Sequence, residues 1–314
     1  MPIKHFLSLA DLQPEELAHL VNRSVGFAGG EGTERATLAG KIVGIYFRKP
    51  STRTRTSFTV GALKLAAQTV TFGQNDLQIV TGETLEDTTR VLSGYLDALV
   101  IRTNETIAEM RTLAGQNEMS VINAMSENEH PSQAIADLST IKERFGQLAN
   151  IHVLYFGEGN NTATALAWAV AKTPEMKITF ATPSGYGLPE STLEATRQCS
   201  RRYGAVIEQQ HDLNKLPQNV DVVYTTRWQT MGVPHTDPHW REMFRPYSVT
   251  LTLMRRVSKS TNTIFLHDLP AVWGDDVTAE VLNGPQSFAW RQARYKMFSA
   301  MAILEWCLTD GRRE

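Results

Sequence analysis

Cysteine is nearly absent from this sequence: Cys199 and Cys307 are the only two among 314 residues. They form neither a CxxC pair nor a disulfide framework, which favours buried thiols in a reducing compartment, so we expect a cytoplasmic protein. No uncharged run approaches the roughly 18 residues that a membrane-spanning helix needs. The N-terminal MPIKHFLSLADLQPEEL also lacks the apolar core of a signal peptide.

An excess of charge of either sign is lacking as well. The formal net charge is −2, whereas general affinity for nucleic acid requires a broad basic surface. We therefore expect neither nucleic-acid nor membrane partners. Any anion that this chain binds should be small and held locally.

Short apolar, β-branched segments alternate with longer amphipathic ones along the whole chain. This alternation predicts mainly parallel sheets flanked by helices, an α/β fold. We predict four strands in the first half and five in the second: 41–47, 68–73, 98–103 and 120–125, then 151–157, 177–182, 205–210, 220–226 and 263–269. Because 314 residues exceed the usual size of a single core, we expect two domains.

Two longer segments do not belong to either series of strands. HPSQAIADLSTIKERFG (130–146) lies between the two series, has an apolar stripe and carries proline in its tolerated first turn. We predict that it forms a helix bridging the two domains. FAWRQARYKMFSAMAILEWCL (288–308) follows the last strand, and we predict a second long helix that returns to the first domain.

One turn is unusually rich in hydroxyl and guanidinium groups. Residues 41–67 are predicted to form a strand, a turn that begins at Pro50–Ser51, and a helix. The backbone N–H groups at a helix start bind anions, and STRTR (51–55) adds hydroxyl donors and an arginine fork suited to phosphate. The alternative is that Ser51 only caps the helix and that both arginines are solvated.

Three further polar residues fall where predicted strands end or helices begin. Arg102 follows the apolar ALVI at a strand terminus, where ligand groups gather in parallel sheets. His130 and Gln133 lie three residues apart at a predicted helix start, and therefore on one face. Each alone has a structural explanation, such as a core histidine or a surface ion pair. Together with the STRTR turn they predict a site for one small anion.

The sequence resembles the aspartate/ornithine carbamoyltransferase family over nearly its whole length. The resemblance rests on segments that occur in the family's order: KHFLSLADLQPEEL, STRTRTSF, GETLEDTTRVL, HPSQAIADLSTI, HDLP and QAR. It implies a carbamoyl-phosphate-binding domain over 1–135, completed by a C-terminal helix at 286–312, and a second-substrate domain over 150–285. It also implies a homotrimer with shared active sites, which transfers carbamoyl from carbamoyl phosphate to an amine without a metal or another cofactor.

The resemblance assigns roles to the polar residues of the anion site. Arg102, His130 and Thr54 are the expected catalytic groups, which polarise the carbonyl of carbamoyl phosphate. The residues expected to bind carbamoyl phosphate are Ser51, Thr52, Arg53, Thr54, Gln78, Arg102, His130, Gln133 and Lys296. Gln78 stands where ornithine-type members place a glutamine that reaches a neighbouring subunit, although a mobile polar loop is the alternative. Lys296 stands where those members have arginine.

The segments that match the acceptor site depart from both branches of the family. TTRWQTMG (225–232) keeps most of the ornithine-type D-x-W-x-S-M-G pattern, but Thr226 replaces its aspartate. Arg227 and Gln229 instead copy the aspartate-type TRxQ, and Asp268 replaces the cysteine of ornithine-type HCLP. The expected second-substrate residues are Asn161, Thr226, Arg227, Gln229, Thr230, Met231, His267, Asp268 and Leu269.

These rearranged charges predict an acceptor that is an amino acid or diamine related to ornithine, but not ornithine itself. Asp268 is expected to pair with a substrate ammonium, and Arg227 with a substrate carboxylate. The alternative is that Arg227 and Asp268 pair with each other, because neither charge is expected to be buried without a partner.

The segment GVPHTDPHWREMF (232–244) places His235 and His239 at metal-like spacing. Its two prolines argue against a regular helix, so we expect no zinc site there. We expect instead a flexible lid over the second substrate, with Trp240 as a contact.

Other functions remain open on the sequence alone. The TRxQ motif is compatible with an aspartate-type carbamoyltransferase, and changes confined to the acceptor site are compatible with a non-catalytic carbamoyl-phosphate-binding relative. A nucleotide-dependent enzyme is disfavoured, because GEGNNT (157–162) lacks the last glycine of a dinucleotide fingerprint. In addition, no acidic residue ends the next strand, and no GxxxxGK[ST] occurs.

Overall fold

The computed structural model describes residues 3–32, 36–229 and 235–309. The chain divides into two compact units, Met1–Ser139 with Arg294–Glu314, and Thr140–Ala293. Each unit contains one parallel β-sheet flanked by helices, as the alternating sequence pattern predicted.

The first unit is built on a four-stranded parallel sheet. Its strands are β1 (Ile42–Phe47), β2 (Gln68–Phe72), β3 (Ala98–Arg102) and β4 (Ser120–Met125), in the spatial order β2-β1-β3-β4. Its helices are α1 (Pro14–Ala28), α2 (Arg53–Lys64), α3 (Leu85–Ser93) and α4 (Ile107–Leu113). All the residues of β3 and β4 are buried, which explains why their sequences are almost continuously apolar.

The second unit contains a five-stranded parallel sheet. Its strands are β5 (His152–Phe156), β6 (Lys177–Ala181), β7 (Val206–Gln210), β8 (Val222–Thr225) and β9 (Ile264–His267), in the order β7-β6-β5-β8-β9. Its helices are α6 (Asn161–Ala171), α7 (Glu190–Ser200), α8 (Trp240–Phe244), α9 (Leu251–Val257) and α10 (Ala279–Leu282). Nine of the eleven residues of α6 are buried, so this helix belongs to the core and is apolar on nearly every side.

Two long helices contain the boundaries between the units. Helix α5 spans Pro131–Phe145 and helix α11 spans Ala289–Leu308. The long helices predicted over 130–146 and 288–308 are therefore confirmed within one residue at each end. No helix in the described ranges combines the length and the apolar composition that crossing a membrane requires.

In each sheet, the strand order reverses direction at one point. The reversal lies between β1 and β3 in the first unit, and between β5 and β8 in the second. Ligands of open parallel sheets bind beyond the carboxyl ends of the strands at such reversals. The residues that follow β1, β3, β5 and β8 are therefore the places to search for a site.

A short helix, α8, forms at 240–244, at the end of the segment whose two prolines argued against a regular helix. His235 and His239 lie before it. Pro238 also precedes the first helical residue, so it removes no hydrogen bond from α8.

Candidate active site

The turn after β1 leads directly into the start of helix α2. The helix begins at Arg53, and the side chain of Thr52 at its N-cap makes no capping hydrogen bond. Ser51 precedes the N-cap position, and its hydroxyl accepts a hydrogen bond from Nη1 of Arg102 at 3.0 Å. The helix start thus presents backbone N–H groups and hydroxyls together, as an anion site requires.

Arg102 joins this turn to the neighbouring strand. It is the last residue of β3, its side chain is buried, and its carbonyl accepts the backbone N–H of Arg48 at 3.0 Å. β1 and β3 are neighbours where the strand order reverses, so Arg102 and Ser51 come together because of the sheet topology.

His130 and Gln133 lie at the start of α5, and both are buried. Burial, followed by the positive charges of Lys296 and Arg102, lowers the pKa of His130 well below its usual 6.5. Its imidazole is therefore neutral at pH 7. Gln133 donates through Nε2 to Asp137 at 2.7 Å, while its Oε1 has no hydrogen-bond partner in the described part of the chain. A buried amide oxygen in this state is prepared to accept an N–H from a ligand.

One cavity of the first unit collects the predicted residues from three helices. Its lining residues are Thr54, Ser57, Phe58, His130, Ser132, Gln133 and Lys296. Lys296 belongs to α11 and is buried. Sequence reasoning missed Ser57, Phe58 and Ser132, although each lies within four residues of a predicted one and on the same helix.

The side chain of Gln78 forms a local hydrogen bond and does not join the cavity residues. It begins a short 3-10 helix, Gln78–Thr81, and is exposed. Both its carbonyl and its side-chain oxygen accept hydrogen bonds from the Thr81 hydroxyl, at 2.8 and 2.6 Å.

A second polar group lies at the strand reversal of the second unit. Asp268, which directly follows β9, accepts hydrogen bonds from the hydroxyls of Thr162 and Thr226, each at 3.0 Å. Thr226 directly follows β8, and Thr162 lies in the first turn of α6. We call Thr162, Thr226 and Asp268 the carboxylate clamp. Its carboxylate is 14% exposed and, among the described residues, forms no ion pair with lysine or arginine.

His267 does not neutralise this carboxylate. Its Nε2 lies 2.6 Å from the buried Asp276 carboxylate, and its Nδ1 accepts the backbone N–H of Leu269 at 2.8 Å. These two partners fix the proton on Nε2. The Nδ1 that lies 3.5 Å from Asp268 therefore presents a lone pair and not a proton.

The start of α6 supports the clamp. The side chain of Asn160 caps the helix by accepting the N–H groups of Thr162 and Ala163, at 3.0 and 3.2 Å. Asn161 is the first helical residue and is buried. Sequence reasoning identified Asn161 and missed Thr162, whose partner lies 106 positions away in the sequence.

Arg227 lines a cavity of the second unit that the clamp residues do not line. Its neighbours around that cavity are Trp228, Gln229, Trp240, Arg241, Val272, Asp275 and Asp276. Within the described chain, Arg227 and Asp268 form no ion pair with each other, in contrast to the alternative raised by the sequence. Two of the predicted acceptor residues, Thr230 and Met231, lie outside the described residues.

The two histidines with metal-like spacing have other partners. Nε2 of His235 lies 3.0 Å from the carbonyl of Trp228, and Nδ1 of His239 lies 3.4 Å from the Glu242 carboxylate. In the ranges that the structure describes, no three histidine, cysteine or acidic side chains are grouped to hold a metal.

Comparison with known proteins places this chain among the carbamoyltransferases. The family model of the aspartate/ornithine carbamoyltransferase carbamoyl-P binding domain matches residues 4–143, and that of the Asp/Orn binding domain matches residues 149–307. The ornithine carbamoyltransferase of Anoxybacillus flavithermus is 38% identical over 303 residues, which cover 96% of this chain and 95% of the relative. That of Methanothermobacter thermautotrophicus is 36% identical over 308 residues, covering 98% of this chain and 100% of the relative.

Solved structures agree with these relatives. The ornithine carbamoyltransferase from Pyrococcus furiosus superposes with a TM-score of 0.90 at 32% identity, covering 99% of each chain. The enzyme from Gloeobacter violaceus gives a TM-score of 0.86 at 32% identity, over 98% of this chain and 100% of that one. The resemblance inferred from the motifs is confirmed. The chain belongs to the aspartate/ornithine carbamoyltransferase family and is a carbamoyltransferase.

Proposed function

We propose that this chain transfers the carbamoyl group of carbamoyl phosphate to an amine of an ornithine-like amino acid or diamine, releasing phosphate and a ureido product. The observation that carries the choice of acceptor is the carboxylate clamp. Asp268 is largely buried, is oriented by two hydroxyls, and has no lysine or arginine partner in the described chain. A carboxylate held in this way binds an ammonium group.

The clamp also disfavours the aspartate-type alternative. Aspartate would bring two carboxylates toward the Asp268 carboxylate, and like charges at short distance repel. A diamine or a diamino acid instead supplies the ammonium that Asp268 lacks.

Carbamoyl phosphate is assigned to the first unit. Ser51, Thr52, Arg53 and Thr54 offer hydroxyl, guanidinium and helix N-terminal donors to the phosphate dianion, and Gln78 joins them from a neighbouring subunit. Arg102 reaches the phosphate and the carbonyl, and Lys296 adds positive charge. These residues are proposed as the carbamoyl-phosphate site.

The chemical step requires donors at the carbonyl oxygen. Thr54, Arg102 and His130 would stabilise the oxyanion that forms when the amine attacks, and Gln133 would accept a hydrogen bond from the carbamoyl NH2 through Oε1. The attacking amine must be uncharged, and the departing phosphate accepts its proton. Because the lowered pKa keeps His130 neutral, it adds no charge that would trap the phosphate.

The remaining acceptor residues are proposed to complete recognition around the clamp. Asn161 and Leu269 lie beside it in sequence, Thr230 and Met231 follow β8, and Arg227 with Gln229 would bind a carboxylate where the acceptor carries one. His267 holds the turn after β9 through its bond to Leu269. Since Thr226 and Asp268 replace the ornithine-type aspartate and cysteine, we propose that the preferred acceptor is not ornithine itself.

The proposed assembly is a cytoplasmic homotrimer with sites shared between subunits. Exposed apolar side chains cover part of the first unit and favour burial by another subunit: Leu63, Val70, Val80, Val91 and Tyr95. Gln78 lies among them in sequence. Residues 1–135 with 286–312 are proposed as the carbamoyl-phosphate domain, and 150–285 as the acceptor domain. The two cysteines are free thiols, which is typical of a reducing compartment.

The test is a product assay with an acceptor panel. Purified protein and carbamoyl phosphate are incubated with ornithine, lysine, shorter diamino acids, putrescine, N-acylated ornithines and aspartate, and ureido product and phosphate are measured. We expect a strong preference for one diamine or diamino acid other than ornithine. A clear preference for ornithine would overturn the acceptor assignment, and binding of carbamoyl phosphate without turnover of any amine would support the non-catalytic alternative.

A further inference from the structure

A buried carboxylate lies immediately before His130 in the turn between β4 and α5. Glu129 is 3% exposed. Its Oε1 accepts the backbone N–H of Leu9 at 2.8 Å, and the hydroxyl of Ser8 donates to its Oε2. The carboxylate therefore fastens the N-terminal segment of the chain, residues 6–9, to the turn that carries His130.

The N-terminal segment is itself fixed along β4. The N–H of Phe6 donates to the carbonyl of Val121 at 2.9 Å, and the N–H of Asn123 donates to the carbonyl of Phe6 at 2.7 Å. Nδ2 of Asn123 also donates to the carbonyl of Leu7 at 2.8 Å. The two donors that hold the Glu129 carboxylate are thus anchored to β4, at the edge of the sheet of the first unit.

Two hydrogen bonds within the turn, between Ser126 and Glu129, also hold Glu129 in place. The N–H of Ser126 donates to the carbonyl of Glu129 at 2.9 Å, and the N–H of Glu129 donates to the Ser126 hydroxyl at 3.2 Å. Glu129 is therefore held through both its backbone and its side chain. The next residue is His130, whose carbonyl accepts the N–H of Gln133 at 3.0 Å as α5 begins.

We propose that Glu129 is a positioning residue for carbamoyl transfer: it sets the backbone from which the His130 imidazole and the Gln133 amide project. The proposal rests on the function proposed above. A neutral imidazole that polarises a carbonyl acts only at hydrogen-bond distance, so small displacements of its backbone reduce the rate strongly. The N-terminal segment thereby becomes part of the catalytic architecture without touching substrate.

The chain offers a matched set of variants. Glu129→Ala removes both fastening bonds. Glu129→Gln keeps both, because its Oε1 accepts from Leu9 and its NH2 donates to the Ser8 hydroxyl, which rotates to accept. Glu127→Ala is the control, since Glu127 is exposed in the same turn. Ser8→Ala removes one bond and is the milder variant if Glu129→Ala folds poorly.

The assay compares kcat per folded site at a temperature where circular dichroism shows each variant to be folded. We expect kcat to fall by about 10- to 100-fold in Glu129→Ala, by a smaller factor in Ser8→Ala, and by less than about threefold in Glu129→Gln and Glu127→Ala. Inorganic phosphate serves as a probe of residues 51–54. Its inhibition constant should stay within about threefold in all variants, because a positioning defect at His130 leaves those groups in place.

Two outcomes would overturn the proposal. One is a folded Glu129→Ala or Ser8→Ala with wild-type kcat. The other is a parallel loss of kcat and phosphate affinity, which a general loss of structure produces. Failure of the proposed function is a separate result, since the wild-type protein would then form no ureido product.

Discussion

Replacement of Asp268 by asparagine removes the charge of the carboxylate clamp while preserving its shape. One threonine hydroxyl can still donate to the asparagine oxygen, so the fold of the turn should survive. The variant loses the electrostatic attraction between the Asp268 carboxylate and the acceptor ammonium. Two unit charges about 4 Å apart interact by about 4 kcal/mol at an effective dielectric constant of about 20. Because the Asp268 side chain is 14% exposed, we take about 3 kcal/mol as the loss.

This loss corresponds to a decrease of about 150-fold in kcat/KM for the acceptor. The KM for carbamoyl phosphate should remain unchanged, because its proposed residues lie elsewhere in the chain. The measurement is steady-state formation of ureido product with the best amine of the panel. Asp212→Asn is the control, since Asp212 is an exposed carboxylate of the same unit. An Asp268→Asn enzyme with kcat/KM within about threefold of wild type would refute the assignment of the clamp.

The remaining predictions concern assembly and pH. If subunits share sites, a 1:1 mixture of inactive Gln78→Ala and Arg102→Ala proteins should recover about a quarter of wild-type activity, whereas unshared sites give none. Lys296→Met should move the acid limb of the pH–rate profile to higher pH, because loss of this positive charge raises the pKa of His130 toward 6.5; an unmoved limb contradicts this. Burial, with the charge of Lys177, lowers the pKa of His152 to about 4, so the unfolded chain binds this proton first as pH falls below 6.5 and stability is lost toward pH 4. Urea unfolding at pH 7.5 and pH 5 should therefore show a loss larger by about 1 kcal/mol in wild type than in His152→Gln, after allowance for partial exposure, and equal losses would contradict it.

The fold was predictable because buried parallel strands are encoded locally. All nine predicted strands occur, with ends that differ by at most two residues. The two-residue differences fall at Val220–Asp221 and Asp268–Leu269, where buried or half-buried chain continues beyond the sheet. Val220, for example, was assigned to a strand and is buried, but its N–H donates to the carbonyl of Val257 and it pairs irregularly with Ser258. The spacing of apolar residues indicates which residues are buried, but it does not indicate which backbone groups pair.

Part of the site was also predictable, because some of its residues stand in local patterns that the sequence shows. Arg102 was identified because it stands at the end of a strand, which the sequence shows, and Thr226 because it replaces the aspartate of an ornithine-type motif. The partners of Asp268 were not identifiable, because Thr162 and Thr226 reach it from separate strand ends, 106 and 42 positions away in the sequence. The roles of Arg227 could not be decided from sequence either, because adjacent residues of an extended chain point in opposite directions. Charge complementarity alone suggested a pair with Asp268 that the described structure does not contain.

The negative charge of the clamp carboxylate limits which nitrogen of the acceptor Asp268 can hold. A carboxylate beside an ammonium raises the pKa of that ammonium and keeps it protonated. The nitrogen that attacks carbamoyl phosphate must be unprotonated, so Asp268 would slow the reaction if it held the attacking nitrogen. In the proposed reaction, Asp268 therefore binds a second, non-reacting ammonium of the same molecule. The proposed acceptor therefore carries two amino groups, separated by a spacer whose length the panel of diamines and diamino acids will measure. Monoamines should consequently be poor acceptors even at high pH, where their nitrogen is uncharged and Asp268 has no ammonium to bind.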